Sequence, residues 1–202
     1  VGFSGLIATA SDEEEKKLYM DIISENNERL LRLINDIFDL SQIEAGTLSF
    51  EYSEFDANDL LRELEGMFKV ELFNNPSVDL ICEASLQPII MYSEHQRIIQ
   101  VMANLIHNAI KFTKSGEIRF GCHMKETDTV HFYVSDTGIG IPEEEQQEIF
   151  TSFKKLDREV PGTGLGLTLS QTIIRSLGGK AGLESEVNKG STFWFEVPLN
   201  MK

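Results

Sequence analysis

The sequence predicts an α+β protein, a two-layer α/β domain preceded by one long amphipathic helix. Three observations carry that reading. Between Ile23 and Leu40, apolar residues recur at spacings of three and four, the mark of a broad helical stripe. In "TVHFYVSD", Val130, Phe132 and Val134 occupy alternate positions, the period of a strand with one buried face. Helical and strand patterns then alternate irregularly after Ser53, as in a sheet covered by helices on one side.

The elements follow in order. Residues 1–10 read as the tail of a preceding helix, and the start "VGFSGLIATA" reads as cut from something longer. In "SDEEEKK", Ser11 and Glu14 form a capping box, and the acidic run favours a helix N-terminus. The stripe runs through Ile23, Asn26, Leu30, Leu33, Ile37 and Leu40, widened by Ile34 and Phe38. Gly46 then stops the helix. A helix so apolar on one face needs partners, so dimerisation through a four-helix bundle is expected. Residues 1–46 are therefore assigned to a partial dimerisation hairpin, 47–53 to a linker and 54–202 to a compact domain. In that domain the patterns predict helices near 57–72, 94–112 and 164–177, with strands near 78–83, 88–92, 116–124, 129–135, 180–186 and 191–197. The stretch from Thr151 to Gly164 has few apolar anchors and reads as a mobile loop.

Composition narrows the classes of function. Of 202 residues, 33 are acidic and 18 basic, a formal charge of −15 that repels nucleic acid and anionic membrane surfaces. Cys82 and Cys122 lack metal-ligand spacing and read as reduced core thiols. No apolar run is long enough for a membrane span, and the start carries no basic region of a signal peptide.

Two places carry chemistry. On "QRIIQVMANLIHNAIKFT", the residues Ile98, Met102, Leu105, Ala109 and Phe112 form the buried stripe, and Asn104, Asn108 and Lys111 share a second stripe at its edge. Two amides and a cation aimed at one spot suit a metal ion carrying phosphate oxygens, although an ordinary solvated edge has the same pattern. His107 points elsewhere on the wheel. In "TVHFYVSDTGIGIP" the next residue of the buried parity is Asp136, a carboxylate at a strand end that needs a donor. An ionised carboxylate only accepts, so it matches an exocyclic amine such as adenine's, unless it merely caps its own Asp-Thr-Gly turn. Glycines at 138 and 140 allow close approach of a ligand. The series "GTGLGL" is neither a Walker A loop nor a dinucleotide fingerprint.

The segments "NLIHNAIKFT", "DTGIGIPEEEQQEIFTSF", "GTGLGLTLS" and "NKGSTFWFEVP" resemble, in order and spacing, the nucleotide-binding boxes of sensor histidine kinases. "NDIFDLSQIEAGTLSF" is similar to the end of their dimerisation helix. The resemblance implies the sandwich fold shared by gyrase, chaperone and histidine-kinase ATPases, with ATP and Mg²⁺ as cofactors. It makes Asn108 the Mg²⁺ ligand, Lys111 a phosphate contact and Phe112 an adenine-side contact, with Asn104 beside them in the catalytic set. Asp136 takes the adenine amine, Gly138, Gly140 and Ile141 shape its pocket, and Thr192 closes the far side. Phe150 and Phe153 anchor a lid, Lys155 or Lys154 reaches the terminal phosphate, and Gly162, Thr163, Gly164, Leu165, Gly166 and Leu167 fold over the triphosphate into a helix N-terminus.

That resemblance implies transfer of the ATP γ-phosphoryl group to a histidine and relay to the aspartate of a response-regulator receiver domain. None of His95, His107, His123 or His131 lies in the family's phosphoacceptor box, so the acceptor is expected outside these residues. Hydrolase relatives use a Glu where this chain has Asn104, whose amide takes no proton, which favours a kinase. A nucleotide-sensing pseudo-kinase is the alternative of another class. A homodimer, a cytoplasmic location and anchoring of the intact protein by upstream segments complete the expectations.

Overall fold

The computed structural model describes residues 12–151 and 163–200. The chain divides into two compact units, Val1–Leu48 and Ser49–Lys202.

The first unit contains helix α1, Glu13–Glu44. Its cap is Asp12, whose carboxylate accepts from the Glu14 N–H at 3.2 Å, and not the expected Ser11, which lies outside the described residues. Asp is at least as good an N-cap as Ser, and its charge adds to that of Glu13, Glu14 and Glu15 in the first turn. The helix ends at Ala45, and Gly46 turns with φ +66°, its N–H donating to the Ile43 carbonyl. Leu30, Leu31, Ile34, Ile37 and Phe38 remain more than half exposed, a far larger apolar face than a solvated helix carries.

In the second unit, strand β1 (Ser53–Asp56) pairs antiparallel with β3 (Ile90–Ser93) as a separate ribbon. β1 falls partly in the expected linker. "SEFD" has one strong strand former in four residues, too little for a periodic signal. Asp56 caps helix α2 (Ala57–Glu71) by accepting from the Asn58 N–H at 2.9 Å, and it also accepts from the Ile89 N–H at 3.0 Å. That one carboxylate locks the ribbon to the helix start. A 3₁₀ turn, Leu72–Asn74, follows.

The main sheet comprises β2 (Val78–Glu83), β4 (Gly116–Glu126), β5 (Thr129–Asp136), β6 (Lys180–Glu186) and β7 (Gly190–Pro198) in the order β2-β4-β5-β7-β6. β2 runs parallel to β4 and the other pairs are antiparallel. Helix α2, helix α3 (His95–Phe112) and helix α5 (Gly166–Ser176) cover one face, while α4 (Glu143–Gln146) is a single turn after β5. Glu94 caps α3 through its carboxylate on the Arg97 N–H.

The core lies between these layers. Ile118, Phe120, Val130, Phe132, Val134, Phe193, Phe195 and Val197 face Leu60, Leu64, Ile98, Met102, Ile106 and Ile173, all buried. Phe132 and Phe195 are paired across β5 and β7 and stack with centroids 4.9 Å apart. Truncating either to Ala costs about 3–5 kcal/mol by loss of transfer energy and the void left behind. Phe112, expected in this stripe, is only half-buried, because α3 ends there and the chain turns away.

The opposite face carries polar and aromatic side chains. Glu196, 5% exposed, receives His131 at 3.3 Å and Lys180 at 3.1 Å as well as Lys125. Burial alone pushes the Glu196 carboxyl up, and hydrogen bonds from Lys125, Lys180 and His131 overcome it and hold it near 2. Among the described residues no helix is long and apolar enough to cross a membrane.

Candidate nucleotide-binding site

The site forms at one end of the sheet, where α3, the turn after β5 and the start of α5 meet. Its centre is Asp136, the last residue of β5 and the inward continuation of Val130, Phe132 and Val134. It is 8% exposed. Its carboxylate accepts from the Gly138 N–H at 2.8 Å and from the Ser191 backbone. Burial raises the Asp136 carboxyl above the ordinary carboxylate range, and the two backbone donors oppose this. Asp136 thus makes the local turn that its sequence allows and is also a buried acceptor at the strand end. The two readings are compatible.

The turn after it is shaped by glycine. Gly140 has φ +67°, and a Cβ there would lie 2.0 Å from the Glu186 carbonyl oxygen. Any side chain would drive the turn off the β6–β7 hairpin. Gly138 packs on the end of α3, where a Cβ would meet the Phe112 carbonyl oxygen at 2.5 Å. Ile141 is buried, and its N–H donates to Ser185 Oγ at 2.8 Å. Ile139, half exposed, stands at the mouth.

On α3, Asn104, Asn108 and Lys111 are half-buried along one edge, as their spacing requires. Asn104 Nδ2 donates to Ser170 Oγ at 2.9 Å, joining α3 to α5. The Asn104 amide also lies so close to Gly166 that a Cβ there would fall 2.2 Å from Oδ1. Lys111 Nζ lies 4.7 Å from the centroid of the Phe112 ring.

Helix α5 begins at Gly166 with no side chain capping it. Its N-cap residue Leu165 is buried, and the Leu165 N–H donates to Thr163 Oγ1 at 3.2 Å, while Gly164 takes φ +73°. Among the described residues no side chain caps the first N–H groups of the helix, at Gly166 and Leu167, the kind of helix start that anions favour. Thr168 Oγ1 donates to the Phe150 carbonyl at 2.9 Å, tying α5 to the turn before the loop. Phe153, Lys154, Lys155 and Gly162, and most of the expected mobile loop, lie outside the described residues.

Thr192 faces the side of the sheet opposite Asp136, where its Oγ1 lies 2.9 Å from Ser135 Oγ. Ser191, 6% exposed and paired with Asp136 across β5 and β7, occupies the pocket side. The signal was available, since Phe193, Phe195 and Val197 share the parity of Ser191 and not of Thr192. Ser185 and Gln146 also went unnoticed in the sequence. Gln146 Nε2 donates to the carbonyls of Ile141 at 2.9 Å and Ser185 at 3.0 Å.

Comparison with known proteins agrees with this fold. The family described as "Histidine kinase-, DNA gyrase B-, and HSP90-like ATPase" matches residues 93–201, more than half of the chain. The chain belongs to that ATPase family, and the relatives it resembles over nearly its whole length are histidine kinases. It is 37% identical over 191 residues to the circadian input-output histidine kinase CikA of Synechococcus elongatus, covering 92% of this chain and 25% of CikA. Among solved structures, full-length ShkA in complex with AMPPNP superposes with a TM-score of 0.81 at 26% identity, over 98% of this chain and 42% of ShkA. Histidine kinase ThkA in complex with the response regulator TrrA gives 0.74 at 28% identity, over 98% of this chain and 56% of ThkA. The chain thus spans about a quarter of the length of its curated relative.

Proposed function

We propose that this chain binds Mg·ATP at the end of the sheet and delivers the γ-phosphoryl group to a histidine of the larger protein, for relay to a response-regulator aspartate. The observation that carries it is the pairing of a buried carboxylate acceptor, Asp136, with an uncapped helix N-terminus at Gly166. One end recognises an amine-bearing base and the other an anion. The residues fit ATP. Asp136 accepts the adenine amine, Gly138 and Gly140 let the turn beside it pack tightly against the end of α3 and the β6–β7 hairpin, and the α5 N-terminus takes phosphate oxygens.

They also fit Mg²⁺. Asn108 is the hard oxygen ligand on α3 and Lys111 the neighbouring cation, and among the described residues there is no cluster of His, Cys, Asp and Glu that would make a closed metal cage. One protein oxygen, with the rest of the shell from phosphate and water, is how Mg²⁺ serves nucleotides. Bound Mg·ATP would supply the transferable phosphoryl group with its charge partly neutralised. The chain's own part is positioning: Asp136 fixes the base, α5 fixes the phosphates, and Asn104 holds the two helices in register through Ser170. Asn104 donates through its amide and has no proton-accepting nitrogen, so it serves a kinase and not a base-assisted hydrolase.

The likeness to the ThkA–TrrA complex supports a response regulator as partner. The exposed stripe on α1 supports a homodimer built by helix pairing. Calorimetry with ATP and GTP, with and without Mg²⁺, tests the site. Asn108→Ala is expected to lose the Mg²⁺-dependent part of the affinity, and Asp136→Ala the preference for ATP. Unchanged affinities in both variants would refute it.

A further inference from the structure

Ser185, Ser191 and Asp136 form one cross-strand row over β6, β7 and β5, since Ser185 pairs with Ser191 and Ser191 with Asp136. The next row on the same face is Leu183, Phe193 and Val134, entirely apolar. The polar row is therefore confined to the end that meets the base. Asp136 has its role there. Ser185 has none so far.

The Ser185 hydroxyl has one proton and two lone pairs. Its oxygen lies 3.0 Å from the Gly190 carbonyl oxygen, 2.9 Å from Ser191 Oγ and 2.8 Å from the Ile141 nitrogen. The Ile141 N–H can only donate to it and the Gly190 carbonyl can only accept from it. The single proton of Ser185 is thus committed to Gly190, so Ser191 must supply the proton of the Ser185–Ser191 bond. Ser191 then has only lone pairs left to turn towards the pocket, next to the Asp136 carboxylate.

We propose that Ser185 is a positioning residue for base selection, orienting the Ser191 hydroxyl so that the row offers acceptors only. A six-amino purine, which donates there, is accepted. A six-oxo purine, which accepts, meets like against like. This rests on the reading that the base lies against Asp136. Gln146, bridging the carbonyls of Ile141 and Ser185, holds the turn even without the serine hydroxyl, so removing that hydroxyl releases the Ser191 rotor more than the backbone.

The test is calorimetric affinity for ADP and inosine diphosphate, which share their phosphate contacts and differ around the six-position. The unsubstituted chain is expected to prefer ADP. Ser185→Ala should reduce that preference roughly five- to tenfold, the size of one hydrogen bond turned from mismatched to matched, while Ser185→Thr keeps it. Ser191→Ala, which removes the oriented acceptor directly, should show the same loss. Equal weakening of both ligands in Ser185→Ala, with their ratio intact, makes Ser185 merely structural and overturns the proposal, as does a full preference in Ser191→Ala. An unsubstituted chain that binds ADP and inosine diphosphate equally, or neither, instead overturns the placement of the base and this proposal with it.

Discussion

Asp136 is a carboxylate held where burial penalises its charge, and the adenine amine proposed to bind there would relieve part of that penalty. The sign of its pH dependence follows. Its carboxyl titrates above the ordinary value of 3.8, so as pH falls it takes up a proton earlier than an exposed aspartate and becomes a hydroxyl donor facing an amine. By the same shift, ionised Asp136 subtracts from stability as pH rises through the raised value. ATP affinity is therefore expected to decline on the acid side at a pH above 3.8, and in Asp136→Asn that decline should vanish with much of the affinity. Titrating affinity against pH in both chains measures it. Asp136 was legible because three apolar residues set its parity. The face that Thr192 occupies was legible in the parity of Phe193, Phe195 and Val197, which Ser191 shares and Thr192 does not. Ser185 was invisible for a different reason: its partners Ile141, Gly190 and Ser191 come from three segments that only the strand register brings together.

Whole elements were more legible than single contacts. Helices α2, α3 and α5 and the five strands of the main sheet fall within about two residues of the positions predicted from periodicity. Each is long enough for its apolar repeat to stand out, whereas β1 and the single-turn α4 are shorter than one clear period. Helix α1 makes the strongest prediction at this scale. Ile34 is more than half exposed in the single chain, so a charge there leaves the isolated helix undisturbed but is expensive in an apolar seam. The chain is expected to scatter light as a dimer and Ile34→Glu as a monomer. Equal masses would refute the helix-pairing reading.

Across the molecule, the four histidines show what this chain does not supply. His95 packs edge-on against Phe55, with centroids 4.8 Å apart, and His107 does the same against Phe68 while lying 3.4 Å from Glu71. His123 and His131 lie beside each other with tilted rings, centroids 4.8 Å apart, on the sheet face opposite Asp136. None is presented to the α5 N-terminus. Incubated with labelled Mg·ATP, the chain should gain no stable phosphohistidine, yet should label a separate polypeptide carrying a complete dimerisation hairpin, at a rate that rises with its concentration. Acid-labile label mapped to any of the four histidines would contradict this.

The sheet order β2-β4-β5-β7-β6 also bears on how the protein matures. β4 and β5 are adjacent in sequence and joined by a tight turn, and so are β6 and β7, so each hairpin can close early and locally. Asp136 belongs to one hairpin and Ser191 to the other. Their juxtaposition waits for the two to zip along the β5–β7 seam, a long-range closure with slower kinetics. ATP bound across that seam, as proposed, would therefore act as a late clasp that retards unfolding while leaving the refolding rate largely untouched.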